Sequence, residues 1–225
     1  MRARGFVIAI DGPSGAGKST AGRTLAQRLG YTFLDTGAMY RAVALKALES
    51  GAPLGDPAAM GDLARTSRIV VETGGRVVLD GRDVTSRIRS REVARAASQV
   101  SVHPEVRRQM VVRQREMGGE GGVVLDGRDI GTAVFPDAEV KFFVDADPAQ
   151  RAFRRRQELG EPEADVHAIE KEIRARDHAD SSRADSPLVR TPDAIYLDTT
   201  LLTPEETVEA MLAFVSRRQG GAPGR

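Results

Sequence analysis

Phe6-Val7-Ile8-Ala9-Ile10-Asp11-Gly12-Pro13-Ser14-Gly15-Ala16-Gly17-Lys18-Ser19-Thr20 decides the fold. Residues 6–10 are an apolar run that reads as a buried strand. Residues 12–19 then complete G-x-x-x-x-G-K-[ST], a loop that cradles phosphates. Its glycines permit backbone conformations that turn successive N–H groups toward one anion. Lys18 adds a mobile cation for the β- and γ-phosphates, and Ser19 offers a hydroxyl to Mg²⁺. The helix beginning near Gly17 points its positive end at the same phosphates. Strand, loop, Lys-Ser and helix in this order predict a nucleoside triphosphate site over Gly12, Pro13, Ser14, Gly15, Ala16, Gly17, Lys18, Ser19 and Thr20.

The 225 residues suit one α/β domain with insertions. Without cysteine, disulfides, thiolate metal sites and thiol catalysis are excluded. Lys plus Arg is 33 against Asp plus Glu 32, so there is no global electrostatic reason to bind nucleic acid or an acidic membrane. No stretch approaches the roughly 20 apolar residues of a membrane span, and a strand starting by Phe6 leaves no room for a signal peptide. A cytoplasmic protein is expected. Asparagine is absent, which removes the guanine-reading N-K-x-D element of GTP switches.

Residues 20–29 read as a helix ended by Gly30, residues 31–34 as a short strand, and Asp35 to Arg41 as the opening of a second helix. This βαβα series predicts a parallel sheet with helices on its faces. Residues 51–56, with Pro53 and Pro57, break the pattern. Between 69 and 85 the period changes to two around Gly74-Gly75, predicting an antiparallel hairpin in a small accessory lobe. Helices follow at 90–100 and 104–117, then a loop at 118–122 and a buried strand at 123–125. A strand at 140–144 leads through Asp147-Pro148 into a helix bearing Arg151, Arg154, Arg155 and Arg156. Gly160-Glu161-Pro162 interrupts it, another helix covers 166–177, and a last strand covers 194–197. Thr203-Pro204-Glu205-Glu206 caps a closing helix at 208–218, and residues 219–225 are expected to be frayed.

Residues 77–83 and 123–129 are the same heptapeptide, Val-Val-Leu-Asp-Gly-Arg-Asp. The first copy is a hairpin arm, and the second ends a buried strand. Ligands in open α/β sheets gather at the carboxyl ends of parallel strands, so Arg128 and Asp129 are expected at the site and Arg82 and Asp83 away from it.

Phosphoryl transfer needs two substrates in line, cancelled charge on the migrating group, and excluded water. Cations come from separate points: Arg41, Arg128, the 151–156 cluster, and the segment from Arg176 to Arg183. The arginine-rich helix also reads as a solvated face pairing with Glu158 and Glu161. With Gly160 and Pro162 as joints, it reads instead as a lid. His103, His167 and His178 are expected at the surface rather than as bases. An acceptor that is itself a phosphate is already ionised and needs no base. A hydroxyl acceptor would want an aspartate near the loop, which Asp35 or Asp126 supplies.

The stretch 10–19, the 35–41 segment, Ala97-Ser98-Gln99-Val100, Asp126-Gly127-Arg128-Asp129 with Gly131-Thr132, and Arg176-Asp177 through Arg183 with Pro187-Leu188 together resemble the bacterial cytidylate kinase family over nearly the whole chain. The hairpin lobe is similar to that family's enlarged monophosphate-binding insert. The resemblance implies a P-loop three-layer α/β/α fold with a central parallel sheet, an inserted antiparallel lobe and a short helical lid. The implied core is 1–50, 90–153 and 184–218, the lobe 51–89, the lid region 154–183 and the flexible tail 219–225.

It also implies ATP as donor, Mg²⁺, and CMP or dCMP as acceptor. Arg41, Arg128 and Arg183 would hold the acceptor phosphate, and Arg176 with Asp180 would meet the ribose. Ser98, Arg107 and Asp129 would read the base. Thr36, where some members carry serine, stands with Tyr40 near the ribose or phosphate. Arg154 or Arg155 would close on ATP, joining Lys18, Arg128 and Arg183 in catalysis. Two other readings stay open: a P-loop kinase of a small hydroxylated metabolite such as shikimate or gluconate, and an ATP-dependent conformational switch. A monomer is expected.

Overall fold

The computed structural model describes residues 2–72, 74–160 and 162–220. Five parallel strands form the central sheet in the order β2-β6-β1-β7-β8: β1 (Val7–Asp11), β2 (Thr32–Asp35), β6 (Val123–Gly127), β7 (Val140–Asp145) and β8 (Ile195–Asp198). All five residues of β1 are buried, as a strand covered on both faces requires. Val7 and Ala9 face one apolar cluster with Met39, Val43, Met110 and Leu125. Ile8 and Ile10 face another with Leu25, Phe142 and Met211. Helices α1 (Lys18–Leu29) and α8 (Pro204–Gly220) cover the second face. The first is covered by α2 (Thr36–Ser50), α3 (Pro57–Thr66), α4 (Arg91–Val100) and α5 (Pro104–Gly118). The three layers and parallel sheet are those expected.

The register aligns Asp11 with Gly127 and Asp35 with Asp126. The segments that follow β1, β2 and β6 therefore open from one edge of the sheet. Strand β1 lies between β6 and β7, so the chain passes to opposite sides of it, which creates a crevice at its carboxyl end.

The accessory sheet has three strands rather than the two arms of a hairpin: β3 (Ile69–Val71), β4 (Val77–Leu79) and β5 (Arg82–Asp83), all antiparallel. The first heptapeptide supplies both β4 and β5, because Gly81 at positive φ lets the chain reverse inside it. Ion pairs dock this sheet on α2: Lys46 with Asp80 at 2.7 Å, and Glu49 with Arg82 at 2.7 Å and with Arg87.

Other expectations are corrected. Pro57, read as a breaker, begins α3 at the first helical position, where the missing N–H is harmless, and the Asp56 side chain caps Ala58 N–H at 2.9 Å. A π-helical turn (Ile130–Val134), unmarked in the sequence, follows β6. Helix α6 (Pro148–Leu159) ends at Gly160, and α7 (Val166–Ser182) runs past Asp177. Helix α8 extends through Gln219 and Gly220, which were expected to be frayed, and residues 221–225 lie outside those described. His103 is buried and not a surface group, because its Nε2 engages the Leu54 carbonyl at 2.7 Å. His167 and His178 are exposed, as expected.

Two stability predictions follow from these contacts. A methyl on Gly12, at φ +146°, would overlap the Val144 carbonyl oxygen, so Gly12→Ala should destabilise by more than about 2 kcal/mol. Gly30→Ala, at φ +67° with open space around it, should lose about 1 kcal/mol. Equal losses in urea denaturation would refute a special role for the Val144 contact. The Arg82 hydrogen bond, with Arg87 adding, holds the Glu49 carboxyl below its ordinary 4.5 despite some opposing burial. That stabilisation is present above about pH 4.5 and is lost as the pH falls through the folded value. Glu49→Gln should therefore destabilise by roughly 0.5–1 kcal/mol near neutrality and converge with the parent in acid, as read by thermal melts across pH.

Candidate active site

A cleft of about 530 Å³ opens at the carboxyl edge of the sheet, within the size range of small-molecule sites. Ser14, Gly15, Gly17, Lys18, Ser19 and Thr20 line one end of it. Gly12, Pro13 and Ala16 stand behind as a frame: the Pro13 carbonyl accepts from Lys18 Nζ at 2.6 Å, and the Ala16 carbonyl from the Thr199 hydroxyl at 3.0 Å. Burial, with help from the Arg128 charge, lowers the Lys18 pKa to about 7. The Ser19 hydroxyl donates to Asp126, whose other oxygen is buried and unpartnered. Burial and the Asp35 charge raise the Asp126 pKa to about 6.

At the other end the predicted acceptor residues converge. Arg41 pairs with Asp35 at 2.7 Å, and Arg128 with Asp180 at 2.9 Å. Arg183 lies 3.4 Å from the same Asp180 carboxylate and donates through Nε to the Ser186 carbonyl. Burial, followed by the Arg128 charge, lowers the Arg176 pKa to about 10. Burial alone would raise the Asp180 carboxyl, but Arg128, Arg176 and Arg183 outweigh it and hold that carboxyl below the ordinary range. Arg41 Nε, Arg176 Nε and Arg183 Nη2 are buried donors without protein partners. A site with several cations and idle N–H groups is shaped for anions.

Arg107 and Asp129 form a buried ion pair, with Tyr40 beneath the guanidinium at 5.6 Å from the ring centre. Arg107 Nε and the Tyr40 hydroxyl are both buried and unpartnered. Burial and the Asp129 charge raise the Tyr40 pKa. The Thr36 hydroxyl is spent on the Asp126 carbonyl at 2.6 Å, although the residue still borders the cleft. Ser98 is not among the lining residues. Its hydroxyl lies 3.5 Å from the Ala94 carbonyl, whereas Ala97 and Ser101 of the same region face the cleft. Arg82 and Asp83 are exposed on β5, away from it.

The arginine-rich helix divides its roles. Arg151 is buried and braces the phosphate loop, donating to the Ala146 carbonyl at 2.8 Å and the Ser14 carbonyl at 3.1 Å, with Asp177 at 2.7 Å. Arg154 is tied to the Thr199 carbonyl at 2.6 Å beside Gly17, outside the lining residues. Arg155 does line the cleft and pairs with Glu158 at 3.1 Å. Glu161, expected as a second partner, lies outside the described residues. Sequence reasoning passed over Asp11, the bracing role of Arg151, and Ser101. Asp11 is signalled only by being a carboxylate at the end of an apolar strand.

The family model described as cytidylate kinase matches residues 8–217. The chain is 51% identical over 217 residues to a cytidylate kinase of Solibacter usitatus, covering 94% of this chain and 93% of that one. It is 48% identical over 220 residues to a cytidylate kinase of Symbiobacterium thermophilum, with coverages of 95% and 97%. Among solved structures, a shikimate kinase from Acinetobacter baumannii in complex with shikimate aligns at a TM-score of 0.50 with 18% identity, over 98% of this chain and 97% of that one, a likeness of fold alone. With the family model matched over residues 8–217 and such relatives about half identical over nearly the whole chain, the chain belongs to the cytidylate kinase family.

Proposed function

We propose that the protein transfers the terminal phosphoryl group of ATP to CMP or dCMP, giving ADP and CDP or dCDP. The observation that carries this reading is the convergence of Arg41, Arg128, Arg176 and Arg183, drawn from distant points of the chain, on the cleft that also holds Lys18. Two anionic substrates meet there head to head. The amides of the loop and the start of α1 receive the donor phosphates, and Lys18 leaves the Pro13 carbonyl to meet them. Arg41, Arg128 and Arg183 grip the acceptor phosphate. It is ionised at neutral pH, so the attack needs no general base. Asp180 and Arg176 orient the ribose, and Arg155 of the lid region, with Arg154 behind it, screens the reacting groups from water.

The donor set beside Ser19 fits Mg²⁺: a hydroxyl next to a buried carboxylate with one free oxygen. Ser19 and Asp126 would hold the ion, directly or through water. When bound, it supplies charge neutralisation between the β- and γ-phosphates. Among the described residues no cluster of three His, Cys, Asp or Glu side chains is arranged for a metal.

Asp129 and Arg107 select the base. Cytosine presents an N4 amino donor where uracil presents an oxygen, so the carboxylate accepts from the first and repels the second. Arg107 Nε remains available to the ring. Ser98 joins this group only if α4 shifts on binding, and Ser101 stands closer to the cleft. No helix among the described residues is long and apolar enough to cross a membrane. We read the protein as a cytoplasmic monomer acting on free nucleotides rather than on nucleic acid. The readings as a metabolite kinase or a conformational switch are not favoured by the family match.

ADP release measured with CMP, dCMP, UMP and AMP offered separately tests the reaction. Strong turnover with CMP and dCMP is expected; equal turnover with AMP, or none with any monophosphate, sinks the assignment. Asp129→Asn should relax CMP-over-UMP selection at least about tenfold, in line with the loss of one charge-assisted hydrogen bond to the N4 amino group, while Asp83→Asn leaves it unchanged. Equal effects would place the base reader elsewhere.

A further inference from the structure

Asp11, the last residue of β1, is a buried carboxylate that has no ion-pair partner among the described residues. Its Oδ1 accepts the Ile130 N–H at 2.8 Å and its Oδ2 accepts the Gly131 N–H at 2.7 Å. These are the two amides immediately after Asp129. The Asp129 backbone, at φ −143° and ψ 23°, is neither helical nor extended, and its carbonyl accepts from Ala133 and Val134 N–H in the π-helical turn. The orientation of the base-reading carboxylate is therefore set by the peptide units that Asp11 holds. The absence of a side chain at Gly131 makes room for this grip: a methyl there would stand 3.3 Å from Asp11 Oδ2 and 3.1 Å from Lys141 Cδ.

Burial raises the Asp11 pKa to about 6, against the two amides that favour the charged form. A hydroxyl would fill less of the site and avoid a buried charge, but only a carboxylate accepts from two successive amides with both oxygens. The residue after Asp11 is Gly12, where the phosphate loop begins. One side chain thus joins the strand that launches the donor loop to the turn that presents Asp129.

We propose that Asp11 is a positioning residue for base selection, clamping the 129–131 turn so that Asp129 and Arg107 meet the acceptor base in register with the donor loop. The inference rests on the reading of Asp129 as a base-selecting residue. Asp11→Asn tests it, because an amide keeps one acceptor and turns an N–H₂ against the other backbone donor.

The measurements are kcat and KM with CMP and with UMP, and ATP affinity by calorimetry without acceptor. The CMP-to-UMP ratio of kcat/KM should fall about tenfold or more, chiefly through the CMP KM, while the ATP Kd moves less than about twofold. A purely structural role would lower the melting temperature and leave the ratio intact, and that result in folded Asp11→Asn overturns the proposal. Should Asp11→Asn fail to fold, Gly131→Ala presses on the same contact from the other side; an unchanged ratio there overturns it equally. Asp129→Asn, measured in parallel, separates the two levels. If it collapses the ratio and Asp11→Asn does not, only the positioning role falls. If it leaves the ratio unchanged, base selection by Asp129 falls and the role of Asp11 falls with it.

Discussion

Lys18, Arg41, Arg128, Arg176 and Arg183 are among the cations that border one cleft, and the rest of the site is arranged around their mutual repulsion. The fold offsets that repulsion with its own carboxylates. Asp35 meets Arg41, Asp180 meets both Arg128 and Arg183, and Asp129 meets Arg107. The offset is partial. The Arg176 and Lys18 pKa values stay depressed by burial and by the neighbouring Arg128, and buried donors of Arg41, Arg107, Arg176 and Arg183 have no hydrogen-bond partner among the described residues. A pair of phosphates supplies what is missing. On the proposed reading these same groups are the source of affinity and charge cancellation toward the two substrates' phosphates.

What was legible in the sequence is what local rules control. The apolar run of β1, the glycines after it and the Lys-Ser pair fix strand, loop and helix within fourteen residues by backbone sterics and hydrogen bonding alone. The duplicated heptapeptide was separable because its two copies sit in different contexts, one in an antiparallel lobe and one at the end of a parallel strand. Illegible features depend on partners far away in the chain. Pro57 begins a helix because Asp56 caps it and α5 receives its apolar face. Arg151 looks like its neighbours in sequence, yet the Ser14 carbonyl, 137 positions earlier, turns it into a brace for the loop. His103 is drawn inward by one carbonyl of the 51–56 segment, and nothing around it in the sequence reports that.

The absence of a conventional base fits the charge arrangement. His103 is committed to Leu54, and the other two histidines are exposed on α7. Of the two aspartates that could serve a hydroxyl acceptor, Asp35 is occupied by Arg41 and by the Ala38 N–H, and Asp126 accepts from Ser19. A neutral hydroxyl substrate could meet the one free oxygen of Asp126, but it would leave the guanidinium cluster uncompensated. A phosphate acceptor uses that cluster directly. The electrostatics thus favour a nucleotide acceptor before any base contact is considered.

The proposed base selection would be a second use of buried charge. Replacing a buried ion pair by apolar side chains of similar volume is often neutral or favourable for stability, so the Arg107–Asp129 pair is poorly explained as a device for holding the fold together. On the proposed reading its worth lies in what happens when the wrong ring enters. Uracil would set an oxygen against the Asp129 carboxylate inside a site that water has left, and the unmade hydrogen bond is felt at the full desolvation penalty rather than at the small net value of an exposed one. Discrimination of that kind exceeds what pocket size alone achieves. On the proposed reading it also demands that the carboxylate cannot swing away, which makes the rigidity of the 129–131 turn part of that selectivity.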